Sequence, residues 1–236
     1  MTPYARTEQQ LSDTLRLTQR PVAVAYPDVA PPDVERFEGS MPSTCSFWRL
    51  AGGGRAFYTV PSDHYNCPIG SYTHNIPLPP DRASELDQTL GLMTKTGYLR
   101  MEEVPGIPRL ASTPNVVVYA PLGETPVAPD AVILSGPPSV LMVVQEAALR
   151  AGLSSAAPLM GRPTCMAVPM VEVQPLAASL GCIGNRIYTD VPDADLYLMV
   201  AGKHIQALAG ELETIAAANK TLGDYHRDRR ATLATS

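Results

Sequence analysis

The chain predicts an α/β fold, with α+β as the nearest alternative: a single domain in which helices flank a mixed sheet, organised as an internal pseudo-repeat. Three observations carry that expectation. Asn115 to Ala120 (NVVVYA) and Ala131 to Leu134 (AVIL) are short apolar runs with β-branched residues, the pattern of strands covered on both faces. Ser139 to Ala151 follows Pro137 and Pro138, residues that helix starts tolerate, and Ile205 to Ala218 puts Ile205, Leu208, Leu212 and Ile215 on one face. Two Cys-Ile-Gly segments recur, one in each approximate half, 18–110 and 115–218, and 219–236 is left as a polar tail that is expected to fray.

Taken in order, Thr7 to Leu17 has Leu11, Leu15 and Leu17 among polar residues, with Thr7 placed to cap and Gln10 three residues on, so it predicts an amphipathic helix. Pro21 to Tyr26 (PVAVAY) is a strand closed by Pro27 and the Pro31-Pro32 pair, which remove backbone donors. Ser43 to Leu50 is a short helix ended by Gly52 to Gly54, and Ala56 to Val60 a strand. Ser62 to Pro80 is polar, rich in proline and reads as a loop carrying His64, Cys67, Gly70 and His74. Arg82 to Thr96 has Leu86, Leu90 and Met93 at helical spacing, and Val104 to Pro114 is a linker. From Gly152 to Thr164 the chain is turn-rich, and Cys165 to Val173, split by Pro169, fits helix and strand equally. Arg186 to Asp190 and Leu196 to Ala201 read as strands by composition.

Composition narrows the function classes. Of 236 residues, 45% are hydrophobic and 17% charged, which suits a folded chain with a substantial core. A net charge of -5 without clustered Lys and Arg, apart from Arg227, Arg229 and Arg230, argues against a nucleic-acid partner. No run approaches the roughly 20 apolar residues of a membrane span, and Met1 to Arg20 lacks a secretory apolar region, so a cytoplasmic location without membrane association is expected. Four cysteines are too few for a disulfide scaffold of this length, and in a reducing compartment they serve packing, metals or catalysis. The 24 prolines, about twice the average share, predict short elements with sharp turns.

The repeat aligns Cys67-Pro68-Ile69-Gly70-Ser71-Tyr72-Thr73-His74-Asn75-Ile76-Pro77 with Cys182-Ile183-Gly184-Asn185-Arg186-Ile187-Tyr188-Thr189-Asp190-Val191-Pro192, sharing Cys, Ile-Gly, Tyr-Thr, an apolar residue and Pro across single-residue gaps. A weaker echo pairs Pro129 to Ala151 with Val191 to Ile215, each a strand opened by Pro-Asp-Ala and followed by a helix. Each half carries a further cysteine upstream, Cys45 and Cys165. In such loops glycine lets backbone N–H groups approach a ligand, since it has no Cβ.

These segments also carry a resemblance. Thr18-Gln19-Arg20-Pro21-Val22-Ala23-Val24, the Cys45 segment, His64 to Gly70, the Pro129-to-Leu149 strand and helix, Gly161 to Cys165, and Gly184 to Tyr188 are together similar to the family called domain of unknown function 169, over nearly the full length. One position departs from that pattern: Ala201 stands where such proteins tend to have proline. The resemblance implies a mostly prokaryotic cytoplasmic protein without a settled biochemical role, so the chemistry must be argued from the thiols.

Thiolates hold soft metals and clusters, and Cys45, Cys67, Cys165 and Cys182 are four candidate ligands for an iron–sulfur cluster or other metal, with a redox or ligand-binding role. Gly70, Gly184, Asn185 and Arg186 are the candidate contacts to the bound cofactor. Cysteine is also a small buried hydrophobe, the competing account for Cys45 beside Phe47 and Trp48 and for Cys165 beside Met166. A second reading is a thiol-dependent enzyme in which His64 or His74 lowers the pKa of Cys67. A third is a non-catalytic protein for an anionic small molecule or haem, with Arg55, Arg162 and Arg186 each near glycine as a fork for carboxylate or phosphate. A homo-oligomer is compatible with all three.

Overall fold

The computed structural model describes residues 2–153 and 157–234. Part of the turn-rich stretch after Gly152 and the last two residues of the polar tail lie outside the described residues. The α/β expectation holds: helices cover an open seven-stranded sheet of order β2-β3-β1-β4-β7-β6-β5.

The first helix, α1 (Ala5–Leu15), buries Leu11 and Leu15 and ends where Arg16 turns left-handed at φ 53°. Thr7 is buried inside it and does not cap it. Strand β1 (Val22–Ala25) is buried at all four positions because it lies between β3 (Val117–Pro121) and β4 (Ala131–Gly136), antiparallel to both. Helix α2 (Thr44–Gly52) and strand β2 (Phe57–Thr59), which pairs with β3, follow the sequence expectation. Reading outward from the central β1–β4 pair, the order is β3 then β2 on one side and β7 (Leu196–Ala201) then β6 (Leu176–Ser179) on the other. All these neighbours are antiparallel, and only β5 (Leu159–Met160) runs parallel to its neighbour β6.

Alternation along the strands sorts the core into two layers. Val22, Val24, Tyr119, Ile133 and Met199 face a cluster with Phe47, Trp48, Cys45 and Cys165. Ala23, Val132, Leu134, Leu198 and Val200 face the opposite cluster, filled from α1, α5 (Pro138–Arg150) and α8 (Ile205–Ala234). The first layer is the one that carries the cysteines.

Three expectations are corrected, and one left open between helix and strand is resolved. Ser62 to Pro80 is not an open loop: it holds a 3-10 turn, Pro61–His64, and helix α3 (Pro68–Thr73), with Cys67 as N-cap and Pro68 in the first position, where its missing N–H costs nothing. Arg186 to Asp190 is not a strand but part of helix α7 (Ile183–Thr189). There the Arg186 guanidinium reaches back to the carbonyls of Leu180, Pro192, Asp193 and Asp195, folding the segment onto itself, and Asp190 ends it at φ 47°. Cys165 to Val173 resolves as a 3-10 turn, Thr164–Met166, running into α6 (Ala167–Val173), with Pro169 early enough in the helix to be tolerated. The polar tail is not frayed from Asn219; α8 continues through it to Ala234, and Asn219 is anchored by its amide donating to Glu146 and to the Ile215 carbonyl. Helix α4 (Ser84–Lys95) is where the periodicity put it, and of its side chains only Leu90 is buried.

Candidate functional site

Each cysteine sits at the start of a helical element. Ser43 caps α2, accepting from the Ser46 N–H at 3.2 Å, which places Cys45 in the first turn; Cys165 lies in the 3-10 turn that opens α6. Cys67 caps α3 with its own sulfur, which accepts from the Gly70 N–H at 3.3 Å. Cys182 caps α7, and its backbone N–H donates to Thr164 Oγ1 at 2.5 Å.

The four cysteines line one pocket of about 610 Å³, Cys45 and Cys165 from its buried side. Helices α2, α3 and α7 and the turn before α6 form its thiol wall, which also includes Asn185 and Gly184. The facing wall comes from α4 and the segment after it, with Leu90, Met93, Leu99 and Ile107. Arg162 and Tyr98 line it as well, the guanidinium carbon 4.8 Å from the centre of the Tyr98 ring.

Of the expected cofactor contacts, Gly184 and Asn185 line this pocket, whereas Gly70 and Arg186 do not. A Cβ on Gly70 would lie 2.2 Å from Thr44 Oγ1 and 2.9 Å from the Cys67 sulfur, so glycine is required there for α3 to close against α2. Gly184 is under no such demand, since its nearest neighbour would be the Tyr188 ring at 3.7 Å. Arg186 is occupied by backbone carbonyls, and Arg55 lies over the Phe37 and Phe57 rings.

Burial sets the thiol electrostatics. It pushes Cys45 well above the ordinary thiol range, with Cys165, Cys67 and Cys182 adding and the Asn185 side chain opposing. It also raises Cys165, where Cys67 adds and Thr73 opposes, and Cys67, where hydrogen bonds from Thr44 and Gly70 oppose. These three are protonated at neutral pH, and a neutral thiol is a poor nucleophile; a bound cation is what reverses that preference. Among the described residues, no group of three or more His, Cys, Asp or Glu could hold a metal ion.

The histidines are turned elsewhere. His64 bonds Thr59 Oγ1 at 2.9 Å and Thr44 Oγ1 at 3.4 Å, and stacks on His74 with ring centres 5.7 Å apart. His74 donates through Nδ1 to the Gly70 carbonyl at 3.0 Å, and its buried Nε2 has no partner among the described residues. Neither side chain hydrogen-bonds the Cys67 thiol or lines the pocket. The buried hydroxyls of Tyr26 and Tyr119 are likewise unpartnered among the described residues. A buried hydroxyl without a partner costs about 1 kcal/mol or more. Tyr119→Phe is therefore expected to raise the thermal midpoint by about 2–4 °C, read by scanning calorimetry; a lowered midpoint would show that the hydroxyl is satisfied.

Thr44 and Thr164 were not singled out from the sequence, yet each sits against the cysteine that caps the neighbouring helix, Cys67 and Cys182 respectively. The signal was present in the dipeptides Thr44-Cys45 and Thr164-Cys165, one in each half.

The fold and pocket define a three-layer α/β protein with a thiol-walled cavity on one face of its sheet. The chain belongs to the DUF169 family, described as uncharacterised ArCR, whose family model matches residues 10–211. No curated protein and no solved structure matches it. Among the described residues no helix is long and apolar enough to cross a membrane.

Proposed function

We propose that the chain is a cytoplasmic binding protein whose four cysteines hold an iron–sulfur cluster or another thiolate-bound metal centre, in a redox or ligand-binding role. The observation that carries this reading is that Cys45, Cys67, Cys165 and Cys182 line one pocket although they are scattered along the chain.

The donor set, cysteine sulfur without a carboxylate partner among the described residues of the thiol wall, suits a soft metal centre. Iron–sulfur clusters are held by cysteine thiolates, and four cysteines line this pocket. A cluster bound there would supply one-electron chemistry, and the chain would supply a dry surround that tunes its potential.

The pseudo-repeat is part of the proposal. Two units, β1-α2-β2-α3-β3 with α4 inserted before β3 and β4-α6-β6-α7-β7 with α5 and β5 inserted after β4, would meet at the β1–β4 pair, each giving a Thr-Cys turn and an Ile-Gly helix with cysteine at its N-cap position. The sheet order, symmetric about that pair apart from β5, supports it. A thiol enzyme with a histidine partner has less support, because burial raises Cys67 and both histidines bond elsewhere.

Anaerobic purification followed by iron, zinc and acid-labile sulfide analysis tests the reading. The expected result is stoichiometric metal with broad charge-transfer absorbance, lost in Cys67→Ser and in Cys182→Ser while the far-UV circular dichroism is retained. A metal-free protein with four titratable thiols would sink it, and a sharp Soret band would replace it with haem.

A further inference from the structure

The same pocket has room and chemistry that four thiols do not use. Its volume of about 610 Å³ falls in the range of sites for drug-sized molecules, roughly 300–1,000 Å³. The wall facing the thiols is apolar, from Leu90, Met93, Leu99 and Ile107, and belongs to a segment that buries little else. The charged side chains lining the pocket are Glu85 and Arg162. Glu85 is already satisfied, gripped by Arg82 through two hydrogen bonds of 2.7 and 2.8 Å.

Arg162 differs. Its guanidinium carbon lies over the Tyr98 ring, 4.8 Å from the ring centre, and it forms an ion pair with Glu103 at 3.6 Å, too long for a good hydrogen bond. Glu103 in turn is committed to the Arg100 backbone N–H at 2.8 Å. The result is a planar cation resting on an aromatic ring at the edge of an apolar cavity, with N–H donors left to pair with an incoming acid.

We infer that the pocket takes a small amphipathic organic acid, its apolar body lying between α4 and the thiol wall and its carboxylate paired with Arg162. One cation fits a monoanion; a nucleotide polyphosphate would need several, and a cationic ligand would meet Arg162 unfavourably. The inference stands whether or not the thiols carry metal.

Displacement of the neutral fluorophore phenylnaphthylamine by decanoate or by decanol tests it on the full chain. Decanoate is expected to compete about tenfold better than decanol, the scale of one partly exposed charge-assisted pair. Arg162→Gln should bring the two within about twofold, and Arg162→Lys should keep part of the preference, since charge survives without the planar fork. Decanoate should also slow amide hydrogen exchange in α4. Equal competition in the wild type, an undiminished preference in Arg162→Gln, or protection confined to regions away from α4 would each overturn the inference. Repeating the competition in Cys67→Ser separates the two readings: acid preference without metal keeps this one, and its loss there with metal analysis unchanged from wild type refutes it.

Discussion

Gly202→Ala is expected to destabilise the protein by about 3 kcal/mol or more, the upper end of what overpacking costs, because backbone must move to relieve it. A Cβ at this position would lie 1.7 Å from the Pro129 carbonyl oxygen and 2.5 Å from its carbon. Neither side of that contact can yield independently. The Gly202 N–H donates to the Asp130 carbonyl at 2.8 Å, the Asp130 N–H to the Val24 carbonyl at 2.9 Å, and the Asp130 carboxylate accepts from the Tyr26 N–H at 2.8 Å. Displacing Pro129 therefore disturbs the β1–β4 junction at the centre of the sheet. The thermal midpoint should fall by about 10 °C, with urea unfolding giving the free energy. Gly210→Ala, in α8 with nothing within 4 Å of the added Cβ, should instead be neutral or slightly stabilising. Similar behaviour of the two variants would contradict the close approach.

Acid should destabilise the fold well before the carboxylates titrate. Burial lowers the His74 pKa to about 4 and takes His64 well below its ordinary value, with His74 and Arg36 adding to the effect on His64. In the unfolded chain both titrate near 6.5. Above that pH both states hold the imidazoles neutral and stability does not change on their account. As pH falls from about 6.5 towards 4 the unfolded state takes up protons that the folded state refuses, so stability declines. His74 alone contributes about 3 kcal/mol across that window. Urea unfolding at intervals of pH reads the slope, and His74→Phe should reduce it by about one proton. A flat profile between pH 6.5 and 4 would mean that the buried rings are charged or solvated.

The elements legible in the sequence were those whose burial pattern is local. Val22 to Ala25, Val117 to Pro121 and Ala131 to Gly136 are apolar at consecutive positions because helices cover both faces of the sheet, and that pattern needs no knowledge of strand order. Helix α4 was legible from periodicity in the same way, and α5 from the prolines at its start. Arg186 to Asp190 was misread as a strand because Ile187, Tyr188 and Thr189 have strand-like composition, whereas it is the end of helix α7, with the Arg186 guanidinium spent on the carbonyls of Pro192 and Asp193 just beyond it. Strand β6, Leu176–Ser179, went unseen since its two alanines give little apolar pattern, and its burial comes from lying against β7.

For the candidate site, the residue types came from the sequence and the geometry did not. Cys67, Cys182, Gly184 and Asn185 were chosen from a repeated motif and do line one pocket, together with Cys45 and Cys165. Gly70 and Arg186 belonged to the same motif, yet one is a packing glycine against Thr44 and the other a backbone clamp. The apolar face of α4 and the Tyr98–Arg162 stack had no sequence signal tying them to the cysteines.

By itself the sequence determined the α/β class, most of the central strands and helices, and the set of thiols worth watching, because hydrophobic period and turn chemistry act over a few residues. Only the tertiary structure decided that four cysteines from α2, α3, α7 and the turn before α6 share a cavity, that α4 closes its far side, and that His64 and His74 turn away from it. Those outcomes depend on which strands pair across the sheet, and such pairings join residues too far apart along the chain for any local pattern to specify.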